Sequence, residues 1–140
     1  MGYSTPTPSR YHGFPVVSSE KDRILVGYIT RAVLSAVLHS SQQKDSRVTH
    51  MTQCVFAPEH AIGQRSPFID LSPYLDQSPI EIVESTPLSR VLHSFKALGL
   101  RYMLVIRHGQ LVGIVKKKDL LNHIEVFHRQ ASGYAIGAEH

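Results

Sequence analysis

The chain has 140 residues, 42% of them hydrophobic and 19% charged, which is typical of a folded globular protein. No apolar run approaches the roughly 20 residues that span a membrane, and no signal-peptide pattern opens the chain, so we expect a water-soluble chain. Cys54 is alone, which excludes an internal disulfide and favours a reducing compartment. The net charge is +4, with most of the excess Lys and Arg between residues 90 and 129. That excess suits either an anionic partner or a solvated basic face.

The first forty residues predict a strand pair followed by a helix. Residues 1–10 are rich in Ser, Thr and Pro and are expected to form a disordered leader. Strands are predicted at 14–17 and 24–29, with a turn between them. Thr30 is suited to cap a helix from Arg31 to about Leu38. The apolar side predicted for this helix comprises Ala32, Val33, Ala36 and Val37.

Residues 39–69 lose hydrophobic periodicity and predict a linker with one short strand near 54–56. Because some thirty residues without periodicity are unusual inside one compact domain, we interpret this segment as a connection between two structural repeats.

Residues 70–128 predict a more regular unit, followed by a flexible tail at 129–140. The predicted order is a one-turn helix at 70–75, a strand at 80–83, a helix from Pro87 to Gly99, strands at 101–107 and 110–115 joined by a tight turn, and a helix at 117–127. The first long helix is amphipathic, with apolar residues at Leu88, Val91, Leu92, Phe95 and Leu98. The last helix is expected to bury Leu120, Leu121, Ile124 and Phe127.

Part of this unit occurs twice. Residues 11–17 match 100–106, and residues 25–34 match 111–120, so residues 11–38 repeat the final strand–strand–helix of the second half. The repeated unit is therefore β-α-β-β-α, with the first copy reduced to β-β-α, and the predicted fold class is α/β (α+β).

This unit, with Gly-h-h-x-x-x-Asp (h, hydrophobic) at its last strand–helix junction, resembles a pair of CBS domains, also called a Bateman module. Four segments are similar to the carboxy-terminal CBS region of CLC chloride channels and chloride/proton exchangers, especially the endosomal branch. They are Tyr11–Val17, Asp70–Tyr74, Lys96–Arg101 and Gly113–Asp119. The resemblance implies a partial first CBS repeat at 11–38 and a second at 70–128. In the family the first repeat begins with its own strand and helix, which we expect to be missing here.

For function, the resemblance implies a regulatory domain on the cytosolic side of an intracellular (endosomal, vacuolar or Golgi) membrane, and not an enzyme. It would bind an adenine nucleotide between its CBS repeats and modulate the membrane domain of the same CLC transporter. The nucleotide is ATP, ADP or AMP, a choice that the sequence leaves open. The alternative is a structural module that dimerises without binding nucleotide, and a homodimer is expected in either case.

The resemblance also implies the residues of the nucleotide site. Asp119 matches the family's ribose-binding aspartate, and a carboxylate offers acceptors to both vicinal hydroxyls. The alternative is that Asp119 only stabilises a helix N-terminus, worth about 0.3–1 kcal/mol. Tyr11 matches the adenine-contacting tyrosine, the alternative being a half-buried core tyrosine. His12 and Gly13 would line the phosphate path, and Lys118 is the best match for a phosphate contact, although a lysine run is otherwise usually a solvated face.

Other sites and activities are disfavoured by the sequence. Val33 stands where a second, pseudo-symmetric site would need its aspartate, so one nucleotide site is expected at most. There are nine histidines but no His-Glu-x-x-His or Cys-x-x-Cys pattern, and His123 and His128 miss the i, i+4 spacing of a helical metal site. Nucleophile-elbow, Walker and Rossmann glycine patterns are missing. No aromatic residue interrupts the lysine run, which disfavours nucleic-acid binding.

Overall fold

A computed structural model describes residues 11–57, 63 and 66–136, without the side chains of 126–128 and 130–136. The elements are β1 (Gly13–Val17), β2 (Leu25–Thr30), α1 (Arg31–Lys44), β3 (Gln53–Val55), β4 (Phe68–Asp70), a 3₁₀ turn (Ser72–Tyr74), β5 (Glu81–Val83), α2 (Leu88–Leu98), β6 (Tyr102–Arg107), β7 (Gln110–Lys116) and α3 (Lys117–Ile136). The predicted leader at 1–10 lies outside the described residues. This mixture of helices and sheets confirms the α/β (α+β) prediction.

The chain divides into two compact units. The first contains the residues up to Ser18 together with Val26–Ser78. The second contains Ser19–Leu25 together with the residues from Pro79 onward. The assignment of two CBS repeats and a linker to specific residue ranges stays a prediction.

The first unit is built on two small sheets. β1 pairs with β2, as predicted, and β3 pairs with β4 in parallel, with Cys54 opposite Ile69. The buried core consists of Ile29, Ile69 and Leu71. Partly buried side chains that pack against this core are Val16, Leu34, Val37, Leu38, Val48, Cys54, Phe56 and Leu75.

Helix α1 is longer than the sequence analysis predicts. Thr30 caps it as expected, because its Oγ1 accepts the Val33 N–H at 3.3 Å. The helix continues past Leu38 to Lys44, since no Pro or Gly interrupts the polar segment. The predicted apolar face is wrong in part, because Ala32, Val33 and Ala36 are exposed. The side chains that reach the core are Leu34, Val37 and Leu38.

The predicted linker at 39–69 is more ordered than its composition indicates. Its first residues form the end of α1, and β3 lies within one residue of the strand predicted near 54–56. Strand β4 was not predicted, because three residues following a proline carry too little periodicity to be recognised. The pairing of β4 with β3 makes it a strand, and its own sequence carries no strand pattern.

The second unit contains the predicted three-stranded sheet in the order β5-β6-β7. β5 runs parallel to β6, and β6 runs antiparallel to β7. The buried core consists of Val91, Phe95 and Met103. Ile82, Leu100, Val115 and Leu120 pack against it.

Helix α2 is bounded as predicted. It follows Pro87 and ends at Gly99, which adopts the left-handed conformation at φ 61°. Val91 and Phe95 are buried, but Leu88 and Leu98 are exposed. The buried stripe is therefore narrower than the five-residue pattern predicts.

The tight turn between β6 and β7 is confirmed. His108 and Gly109 have φ values of 50° and 79°, as a two-residue turn with two left-handed residues requires. Arg107, just before it, forms a two-hydrogen-bond ion pair with Glu84, with Nε to Oε1 at 2.6 Å. The ion pair holds the pKa of Glu84 below its ordinary value, chiefly through the hydrogen bond from Arg107.

Segment Ser19–Leu25 adds to the second unit beside this turn. Ile24 forms an antiparallel bridge with Gln110. The Leu25 N–H donates to the Gly109 carbonyl at 3.2 Å, and the Leu111 N–H donates to the Arg23 carbonyl at 2.8 Å. A loop that connects β1 to β2 is thus part of the second unit's hydrogen-bonded structure.

Helix α3 also exceeds its prediction, continuing through Ile136 instead of ending near Phe127. The helix thus includes part of the segment 129–140, and the flexibility expected for that segment stays a prediction. Leu121 was expected to be buried, but it is 50% exposed, whereas Leu120 packs on the core. The side chain of Phe127 lies outside the described part of the chain.

The internal repeat is visible in the backbone hydrogen bonds. In the first unit the Arg31 N–H donates to the His12 carbonyl at 2.8 Å. In the second unit the Lys117 N–H donates to the Arg101 carbonyl at 3.0 Å. These residues are equivalent in the sequence match, so each helix start is tied in the same way to the strand before the hairpin.

Candidate functional site

The predicted site residues fall into two groups, one in each unit. Tyr11, His12 and Gly13 belong to the first unit, and Lys118 and Asp119 belong to the second.

Gly13 is fixed by close packing at the start of β1. A Cβ at this position would lie 2.6 Å from the Ile29 carbonyl oxygen and 2.7 Å from the Tyr28 hydroxyl. Tyr28 is buried, and its burial raises the pKa of its phenol. The geometry therefore explains Gly13 by backbone packing, independently of any ligand.

Tyr11 and His12 lie on the surface just before β1. Tyr11 is 57% exposed, which argues against the alternative of a half-buried core tyrosine. His12 is also exposed, and its carbonyl is held by the Arg31 N–H. Both side chains are accessible to a ligand.

Asp119 lies where β7 passes directly into α3. β7 ends at Lys116, α3 begins at Lys117, and Asp119 is the acidic residue of the first turn. Both Asp119 and Lys118 are exposed. This confirms the predicted strand–helix junction, whose first N–H groups have no partner within the helix.

Asp119 also lines a cleft of about 320 Å³ in the second unit. The cleft lies between the start of α2, the end of β7 and the first two turns of α3. Its lining residues are Leu88, Ile114, Val115, Asp119, Leu120, His123 and Ile124. Asp119 and His123 are the two polar side chains in an otherwise apolar lining.

The side chains of the lysine run lie outside the cleft that Asp119 lines. None of Lys116, Lys117 and Lys118 is among the lining residues of the Asp119 cleft. Lys117 instead lines a separate apolar groove of about 250 Å³ together with Lys96, Leu92, Phe95, Leu120 and Leu121. Consecutive residues of a helix point about 100° apart, so adjacency in sequence does not bring these side chains to one face.

The equivalent junction in the first unit differs in chemistry. Val33 lies in the first turn of α1 and is exposed, like Asp119 in the first turn of α3. Valine has no hydrogen-bond acceptor in its side chain. A sugar diol therefore finds a suitable carboxylate at the second junction and none at the first.

The sequence alone does not mark His123 as a nucleotide-site residue, and its spacing to His128 disfavours a helical metal site. Its distance from Asp119, four residues along a helix, is the signal that places both on one face. Within the described part of the chain, no group of three or more His, Cys, Asp or Glu is arranged to hold a metal ion. No helix there is both long and apolar enough to cross a membrane.

Comparison with known proteins identifies the sequence family. Residues 71–126 match the CBS domain. The chain is 36% identical over 116 residues to H(+)/Cl(-) exchange transporter 3 of Rattus norvegicus, which covers 81% of this chain and 14% of the relative. It is 37% identical over 117 residues to H(+)/Cl(-) exchange transporter 5 of Homo sapiens, with the same coverage. The chain thus spans about one-seventh of the length of these curated relatives.

Comparison with solved structures identifies proteins of the same fold. CBSX2 in complex with AMP superposes with a TM-score of 0.54 at 18% identity, covering 85% of this chain and 75% of that one. A putative acetoin utilization protein (AcuB) from Vibrio cholerae superposes with a TM-score of 0.57 at 15% identity, covering 87% and 73%. At these identities the likeness concerns the fold. Fold and sequence agree, and the chain belongs to the CBS-domain family as a CBS pair related to H(+)/Cl(-) exchange transporters 3 and 5.

Proposed function

We propose that this chain is a cytosolic regulatory domain of a CLC-type chloride/proton exchanger at an intracellular membrane, and that it binds an adenine nucleotide. The relatedness to two such exchangers supports the first part. A protein of the same fold in complex with AMP supports the second. The observation that carries the proposal is the exposed Asp119 carboxylate at the start of α3, in an apolar cleft.

The residues around Asp119 suit the sugar of a nucleotide. The carboxylate has two oxygens that accept hydrogen bonds from the 2′- and 3′-hydroxyls. The apolar lining of the cleft gives the carbon face of a sugar a surface to pack against. No other carboxylate lines this cleft among the described residues.

The remaining proposed contacts come from both groups. The exposed Tyr11 ring would contact the adenine, with His12 and Gly13 along the phosphate path. Lys118, exposed beside Asp119, would meet the phosphates. A nucleotide that binds one arrangement of the domain more tightly shifts the population toward it, and this shift would pass to the membrane domain of the same transporter. The proposed role is regulatory and involves no catalysis.

Calorimetric titration of the chain with ATP, ADP and AMP tests the proposal and identifies the preferred nucleotide. Asp119→Ala is expected to weaken binding about ten- to a hundred-fold, because charge-assisted hydrogen bonds contribute about 1.5–3 kcal/mol. Glu125→Ala is the matched control, since it removes the same charge from an exposed position on α3 outside the cleft. Val33→Ala should also leave the affinity unchanged, because the first junction has no carboxylate.

Two results would contradict the proposal in different ways. Equal affinity of the Asp119→Ala variant and the unchanged chain would show that Asp119 is only a helix-start carboxylate. Failure of the unchanged chain to bind any of the three nucleotides would leave the nucleotide-independent structural module as the better description.

A further inference from the structure

The Asp119 cleft contains a second polar residue, His123, that has no role in the proposal so far. The two side chains lie four residues apart on α3, which places them on one face of the helix, one turn from each other. Both line the same cleft, and His123 is exposed toward solvent rather than packed in the core. A ligand bound to Asp119 in this cleft would therefore lie close to His123.

The chemistry of a sugar diol calls for more than a carboxylate. Each hydroxyl is a hydrogen-bond donor and also an acceptor, whereas an ionised carboxylate only accepts. A diol bound to Asp119 alone would place its hydroxyl oxygens against apolar side chains without a donor. A polar atom that is desolvated without a hydrogen bond weakens binding.

His123 is the one side chain in the cleft lining that can supply the missing donor. The other lining residues apart from Asp119 are Leu88, Ile114, Val115, Leu120 and Ile124. An imidazole carries an N–H in each of its neutral tautomers and two when protonated, so it donates in every state.

We propose that His123 donates a hydrogen bond to a ribose hydroxyl oxygen while Asp119 accepts from the hydroxyl hydrogens. This inference rests on the proposed function, because it concerns the same nucleotide. Asp119 and His123 then form a complementary acceptor–donor pair that selects a ribonucleotide over its deoxy analogues. His123 is a specificity-determining residue of the cleft.

The test measures AMP affinity by calorimetry at one fixed pH for three variants. His123→Leu removes the donor and should weaken AMP binding about tenfold, while His123→Gln keeps an N–H donor and should stay within about threefold of the unchanged chain. His93→Leu is the matched control, because His93 is exposed on α2 and does not line the cleft. It should leave the affinity unchanged.

A second measurement separates a hydrogen bond from a general effect on the site. The same titrations are made with 2′-deoxy-AMP and 3′-deoxy-AMP. For the analogue that lacks the contacted hydroxyl, His123→Leu should lower the binding affinity less than about twofold. The effects of the ligand change and of the residue change on the binding free energy are then non-additive. Thermal unfolding of His123→Leu should match that of the unchanged chain, because the side chain is exposed.

The outcomes distinguish the two proposals. If the unchanged chain binds AMP and Asp119→Ala weakens it, but His123→Leu binds equally well, the role of His123 is wrong and the proposed function stands. An equal loss for AMP and both deoxy analogues in His123→Leu also overturns the specificity role. If the unchanged chain binds no adenine nucleotide, both proposals fail together.

Discussion

Gly13 shows how a single residue in the candidate site can be set by packing rather than by ligand chemistry. A methyl group there would meet the Ile29 carbonyl and the Tyr28 hydroxyl at distances that real Cβ atoms do not occupy. Gly13→Ala should therefore destabilise the first unit by about 1–3 kcal/mol, the usual cost of overpacking a close contact. Urea denaturation followed by circular dichroism measures this change.

The matched control for this substitution is Gly113→Ala in β7. A Cβ at Gly113 would find its nearest neighbour, the Val105 Cβ, only at 4.0 Å. This variant should be neutral or slightly stabilising, because alanine loses less backbone entropy than glycine on folding. Equal destabilisation by both substitutions would show that glycine is required in these strands for a reason other than space.

The residues of the candidate site differ in how far the sequence predicts their placement. The junction at Asp119 was predictable, because an apolar strand, three lysines, a carboxylate and a helical pattern occur in one short run. The separation of the lysines from the Asp119 cleft was not predictable, since it depends on which side of α3 faces the neighbouring elements. His123 was missed because a lone histidine has no pattern of its own, and its spacing matters only once a cleft is known.

Among the elements, α2 was the most predictable. Its start after a proline, its end at a glycine and its apolar spacing all agree, and such agreement between local signals is typical of a well-specified helix. The end of α1 was misjudged because the polar residues that continue it carry no hydrophobic periodicity, and the end of α3 because that helix continues through Gly133, a residue type that disfavours helix. Strand β4 was missed because pairing with β3 defines it.

Helix α2 also provides a stability test. Phe95 is 3% exposed and packs in the core with Val91 and Met103, so Phe95→Ala should cost about 3–5 kcal/mol. Leu98→Ala is the control on the same helix, and because Leu98 is 60% exposed it should cost less than about 1 kcal/mol. Thermal denaturation compares the two. A shift for Phe95→Ala no larger than that for Leu98→Ala would mean that the buried face of α2 has been misidentified.

At the scale of the whole molecule, we expect self-association. The first unit exposes the apolar side chains of Phe14, Val26 and Val33. Contact between copies would remove this surface from water, which is favourable by about 25 cal/mol per Å². Sedimentation velocity over a range of concentrations should show a species near twice the 15.7 kDa chain mass. A purely monomeric chain at the highest concentration would contradict the expected homodimer, and Val26→Lys should shift the equilibrium toward monomer.

The hydrogen bonds of Ser19–Leu25 determine when this segment can fold during synthesis of the protein. A ribosome releases Arg23 and Leu25 long before Gly109 and Leu111, to which their backbones bond. The side chain of Gln110 reaches back to the Asp22 carbonyl at 2.9 Å across a separation of 88 residues. These bonds cannot form until residues as far as Leu111 have emerged, and closing so long a loop slows folding. During synthesis the loop between β1 and β2 therefore lacks these hydrogen bonds until the β6–β7 turn has been made. Over that time the loop is accessible to chaperones and proteases.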